Sequence, residues 1–149
     1  MRGRGRMWIA ATALVLLWTG FAYDLSRPAD GSDYHRTVLQ ITRTAHDAAA
    51  TGALIGRQQL DGQVFGPFAV SAYRDATRAM GSARRRLTEQ APPDGASMAQ
   101  RDRIAPILGA AADHLGDAAS ARDDARLRAA VDDLEHDVRQ LATLLRAWQ

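Results

Sequence analysis

A chain of 149 residues with 19 basic and 17 acidic side chains has the size of one ordinary domain. Its lack of cysteine excludes a disulfide scaffold, a thiolate zinc site, a cysteine nucleophile and a Cys-ligated iron–sulfur cluster. A hydrophobic fraction of 46% with 24% charged residues argues against disorder. Every basic residue is arginine and thirty residues are alanine, a usage that goes with GC-rich bacterial codons.

The positive charge is unevenly placed. Arg2, Arg4 and Arg6 precede everything else, and from Asp24 onward 16 arginines face 17 carboxylates. A nucleic-acid binder needs a basic face on its folded part, so no nucleic-acid partner is expected. Residues 1–6 read as a cytoplasmic basic flank. Residues 7–23 contain no charge and, as a helix of about 1.5 Å per residue, reach roughly 25 Å, the short limit for crossing a bilayer. Trp8 at one rim and Trp18, Phe21 and Tyr23 near the other suit an interfacial belt, and the arginines set the N-terminus inside. The prediction is a transmembrane signal-anchor helix with the C-terminal part extracytoplasmic. The alternative is a secretory signal cleaved near Gly20-Phe21-Ala22, which leaves a secreted protein.

Residues 24–32, with Pro28 and Gly31, read as a linker. Beyond it, residues 33–149 repeat apolar and small side chains at alternating spacings of four and three, which predicts long helices packed nearly parallel. The first helix runs from about Asp33 to Asp61, with Ser32 or Asp33 as N-cap, a seam of Tyr34, Val38, Ile41, Ala45, Ala48, Gly52 and Ile55, and Gly62 as its stop. Pro67 sits near the start of the second, which runs to about Gln90 along Phe65, Ala69, Ala72, Ala76, Ala79 and Ala83, flanked by Tyr73, Met80 and Leu87. Its many alanines predict close helix approach. Ala91-Pro92-Pro93-Asp94-Gly95 is a break.

Ser97-x-x-Gln100 has the form of a capping box for the third helix, whose seam is Ile104, Leu108, Ala111, Leu115 and Ala118. Pro106 is expected to kink that helix or start a second segment. Ser120-x-x-Asp123 precedes a fourth helix, expected from Ala121, with the seam Leu127, Val131, Leu134, Val138, Leu141, Leu145 and Trp148. The fold class is all-α: an N-terminal transmembrane helix followed by an antiparallel, up-down-up-down four-helix bundle. A three-helix arrangement, or seams paired between two chains, is the alternative.

Candidate chemistry is sparse. His35, His46, His114 and His136 make no ligand set; Asp133-x-x-His136 is a lone, imperfect copy of a di-iron motif. Surface histidines are the expectation, and no metal or cofactor is predicted. Adjacent carboxylates at Asp123-Asp124 and Asp132-Asp133 point about 100° apart on a helix and do not converge on one atom. The first pair suits a positive helix N-terminus, and Asp132 is expected to pair with His136. Gly52-x-x-x-Gly56 suggests close helix packing, with a hinge or ligand-sized gap as the alternative.

In the predicted topology the second and fourth helices return toward the membrane. That end collects Arg84, Arg85, Arg86, Arg101, Arg103 and Arg146, with Trp148 beside them, a set suited to anionic headgroups. The expected partners are therefore the lipid bilayer and another protein or a second copy. The expected role is a non-enzymatic interaction or accessory module on a single-pass bacterial membrane protein. An anchored external four-helix domain resembles, in architecture alone, the sensory domains of bacterial chemoreceptors. That likeness implies the alternative role of ligand sensing through a partner. A secreted enzyme or metal carrier is the third reading.

Overall fold

The structure, a computed structural model, describes residues 31–148. The basic flank, the predicted membrane span and the linker up to Asp30 lie outside the described residues. No described helix is long and apolar enough to cross a membrane. The described residues form four helices and no strand: α1 (Gly31–Leu60), α2 (Gly66–Glu89), α3 (Gly95–Ser120) and α4 (Asp124–Ala147). They enclose one core. Helices of 24 to 30 residues are ~36–45 Å long at 1.5 Å per residue.

Chain reversals are explained locally. After α1, Gly62 takes φ +69°. Gln63 N–H donates to the Gln58 carbonyl at 2.8 Å and Gly62 N–H to that of Gln59 at 3.1 Å. That pair of bonds is a Schellman stop, which needs a left-handed residue where glycine stands. Pro67 occupies the first turn of α2, where its missing N–H costs nothing. The N-caps of α3 and α4 are Asp94 and Asp123, whose carboxylates accept from Ser97 N–H at 2.7 Å and Arg126 N–H at 2.9 Å. Both differ from the predicted start signals. Ser97 is the third helical residue rather than the cap, and Ala121 is the C-cap of α3, so α4 begins at Asp124. A carboxylate wins these positions because its full charge also meets the positive helix end. Ser32 and Asp33 likewise lie inside α1 rather than capping it.

Pro106 does not start a second segment; α3 runs through it. Pro106 and Asp102 are both exposed, so the Asp102 carbonyl, which loses its partner to proline, faces water.

The seams meet inside one chain. All seven predicted seam residues of α1 and all five of α3 are buried. On α2 the buried line is Ala69, Tyr73, Ala76, Met80, Ala83 and Leu87, and Phe65, predicted to join it, is 85% exposed because it precedes the helix as its cap residue. On α4, Leu127, Val131, Leu134 and Leu141 are buried, while Val138 and Trp148 pack against the core from its edge. Leu145 is half-buried.

The register is read from cross-helix neighbours. His35 meets Gln100 of α3 and the Trp148 carbonyl beyond α4, and Gly52 lies against Leu115 of α3 and Leu134 of α4. Thus α1 runs alongside α3 and antiparallel to α4, with α2 antiparallel to α1 across the short turn. Helix α1 touches all three others, and the α1–α3 diagonal is the short one. The cause lies in the side chains of α1. After Tyr34, Val38, Ile41 and Thr42, its buried residues are Ala45, Ala48, Ala49, Gly52, Ala53, Ile55 and Gly56, small in all but one case. A Cβ at Gly52 would overlap Leu115 Cδ2, and one at Gly56 would overlap Val131 Cγ2 and approach the Tyr73 hydroxyl. Gly52-x-x-x-Gly56 is therefore a packing notch.

Gly116 on α3 faces open space. Gly52→Ala is expected to destabilise the bundle by up to about 2 kcal/mol, an overpacking cost of roughly 1–3 being offset in part by a helix-propensity gain of about 1. Gly116→Ala is expected to stabilise it by about 0.5–1 kcal/mol. Urea unfolding followed by circular dichroism checks both; equal effects would contradict the notch.

Candidate functional site

Two features stand out: polar connections inside the bundle, and an arginine-rich end. The closed register places the start of α1, the end of α2, the start of α3 and the end of α4 together. Call this the near end and the opposite one the far end. Residues 31–45, 78–107 and 136–148, the near half, hold ten arginines and five carboxylates; residues 46–77 and 108–135, the far half, hold five arginines and ten carboxylates. The folded part is almost neutral as a whole and strongly polarised along its length.

The predicted membrane-facing residues divide into groups. Arg103 and Trp148 line a groove of about 490 Å³ with Gly31, His35, Asp94 and Gln100. Arg84 and Arg85 line a separate depression of about 400 Å³ with Gly81, Thr88 and Glu89. Arg86 is exposed and lines neither. Arg101 is partly neutralised by Asp102 at 3.2 Å. Arg146 folds back on its own helix, donating to the Ala142 carbonyl and the Thr143 hydroxyl at 3.3 Å each. Among the described residues, Arg84, Arg85, Arg86, Arg103 and Arg146 form no ion pair.

His35 ties this end together. Its Nδ1 lies 3.0 Å from Gln100 Nε2 and its Nε2 3.0 Å from the Trp148 carbonyl. One neutral tautomer satisfies both, with Nδ1 accepting from the amide and Nε2–H donating to the carbonyl. Beside it, Tyr34 is buried with no described partner for its hydroxyl. Burial pushes its pKa up, with Arg101 pulling the other way and Asp102 adding to the rise. Asp94, whose carboxylate accepts from the Ser97 backbone and side chain, is held below the ordinary carboxylate value of 3.8. A depressed pKa means that its capping contribution is complete above that value and is lost as pH falls through the folded value.

A second connection lies deeper. Asp137 is 3% exposed and accepts from His114 Nδ1 at 2.7 Å, joining α4 to α3. The expectation of surface histidines thus fails for His35 and His114, which bond across helices, and His136 pairs with Gln140 at 2.7 Å instead of Asp132. His46 meets only its neighbour Asp47. Sequence carried a usable signal for Asp137: it stands three residues after Leu134 and four before Leu141, on the seam. The equally spaced and apolar Val138 masked it. No group of three or more potential metal ligands converges among the described residues. The pairs Asp123-Asp124 and Asp132-Asp133 diverge as their helical spacing requires, and Asp123 serves as a cap.

His114→Ala leaves a buried carboxylate unpaired and is expected to cost about 1–3 kcal/mol. Tyr73 has a buried hydroxyl without a described partner, so Tyr73→Phe is expected to be neutral or stabilising by about 1 kcal/mol. Thermal unfolding of the two variants checks the contrast, and a large loss for Tyr73→Phe would show that its hydroxyl is satisfied. Comparisons of the chain with protein-family models, curated proteins and solved structures find no match.

Proposed function

We propose that the chain is a single-pass bacterial membrane protein, N-terminus inside. Its extracytoplasmic helical bundle rests its arginine-rich end on anionic headgroups and serves as a non-enzymatic interaction or accessory module. The observation that carries this reading is the coincidence of two polarities. The charge-free run at residues 7–23 leads, through a short linker, into the bundle at Gly31. Gly31 belongs to the near half, where arginines outnumber carboxylates two to one. An anionic surface attracts that half and repels the carboxylate-rich far half, so the same charge pattern favours a rod standing on the membrane over one lying flat. The groove lined by Trp148 and Arg103 sets an aromatic ring near a cation, a pairing suited to the headgroup region.

Residues 31–149 form a compact unit with its own core, so the contact is testable without the anchor. The purified unit is expected to sediment with phosphatidylglycerol vesicles at low salt and not with phosphatidylcholine vesicles. Replacing Arg84, Arg85 and Arg86 by glutamine should weaken binding about a hundredfold, at about 1 kcal/mol for each arginine. Equal sedimentation with both lipids, or an unchanged triple variant, would contradict the proposal.

A further inference from the structure

The groove at the near end carries more chemistry than a general attraction to anions requires. It lies where the start of α1, the start of α3 and the end of α4 meet, and it holds about 490 Å³. Two of its lining side chains bear full charges of opposite sign, Arg103 and Asp94. Among the described residues neither forms an ion pair, with the other or with any third group. Asp94 stays ionised, because hydrogen bonds from the backbone and side chain of Ser97 hold its pKa down. Its Oδ1 accepts from Ser97 N–H at 2.7 Å, and its Oδ2 lies beside Gly31, a residue with no side chain to cover it. His35 adds no further charge to balance, since both of its ring nitrogens are engaged, one with Gln100 and one with the Trp148 carbonyl.

We propose that this groove binds a phosphoethanolamine group, its phosphate on Arg103 and its primary ammonium on Asp94, with the link between them against Trp148. A cation and an anion that share one groove without pairing select a ligand that carries both charges. A simple anion would be drawn by Arg103 and repelled by Asp94, and a simple cation the reverse. The guanidinium fork matches phosphate oxygens. The carboxylate matches an ammonium that has N–H groups to donate. The trimethylammonium of choline has none and relies on an aromatic cage, whereas Trp148 is the one aromatic side chain lining the groove among the described residues. An α-amino acid carries its charges on one carbon; phosphoethanolamine spaces them by an ester oxygen and an ethylene link, which suits partners too far apart to touch each other. The group can come from a membrane phospholipid, which rests on the membrane reading above, or from a free phosphodiester. Arg84 and Arg85 line a separate depression, so selection and general attraction reside in different residues.

The bundle, residues 31–149, is tested against phosphatidylglycerol vesicles diluted equally with phosphatidylethanolamine or with phosphatidylcholine. Binding to the ethanolamine vesicles is expected to be about threefold tighter, the size of one exposed ion pair. Asp94→Asn, which keeps a good N-cap, and Arg103→Gln should each bring that ratio to about one. Replacing Arg84, Arg85 and Arg86 by glutamine should weaken binding to both vesicles and leave the ratio. Circular dichroism shows whether each variant is folded. In solution without lipid, glycerophosphoethanolamine should shift the nuclear magnetic resonance signals of the Trp148 indole and the Arg103 side chain. Glycerophosphocholine and alanine should not.

A vesicle ratio abolished by Asp94→Asn assigns the group to lipid; selective shifts with a ratio of one assign it to a free phosphodiester. A ratio of one with no shift, a ratio that survives Asp94→Asn, or equal shifts with the choline diester or alanine overturns the proposal. If all vesicle binding fails while the selective shifts appear, the membrane reading falls and the groove stands. If phosphatidylglycerol binding persists without selection or shifts, the groove falls and the membrane reading stands.

Discussion

The structure depends on how closely α1 can be approached. Three helices converge on it, and along its second half they can come close because the buried side chains there are alanines and two glycines, with Ile55 alone large. Leu115 of α3 and Val131 of α4 sit where side chains at Gly52 and Gly56 would be. A bundle of four large-residue seams would settle into a square with equal diagonals. Here the α1–α3 diagonal is short, and large side chains on the other helices, such as Met80, Leu108, Leu115 and Leu134, fill the space. Gly52 and Gly56 also fix where α3 and α4 sit along α1, because the leucine and valine can enter only at those levels.

That fixed register has an electrostatic consequence. No single helix is strongly basic or acidic from end to end. Antiparallel closure adds the arginine-rich end of α2 to the arginines of early α3 and late α4, and it gathers the carboxylates of late α3 and early α4 at the other end. The His35 connections to α3 and to the Trp148 carbonyl hold the near end in this arrangement, and the His114–Asp137 pair locks α3 to α4 further along. A nearly neutral domain thereby becomes a rod with two different ends. A buried polar pair contributes little net stability against an apolar substitute; the value of the His114–Asp137 hydrogen bond is that it is satisfied in one register.

Much of the core was legible in the sequence because a period of 3.5 residues names the buried face without knowledge of the partner. All of the α1 and α3 seams were read in this way. The misreadings have physical causes. Spacings of three then four and of four then three are both helical, so Asp137 and Val138 competed for one seam position, and apolarity favoured the wrong one. The serines at 97 and 120 look like caps, but Asp94 and Asp123 are stronger acceptors three residues away on one side and the other. Phe65 is apolar and in phase with α2, yet it lies one residue outside it. The histidine connections could not be read at all, since each joins residues of different helices and depends on their relative register.

The central claim is that closure onto α1 brings the C-terminal ends of α2 and α4 to the same end of the bundle. Because the chain has no cysteine, spin labels can be placed cleanly at Thr88→Cys and Arg146→Cys, and their separation measured by double electron–electron resonance. The up-down-up-down register predicts a distance well below the ~36 Å length of a 24-residue helix. A distance near or above that length would place the two arginine-bearing helix ends apart, and with them would go the polarised rod and its proposed lipid contacts.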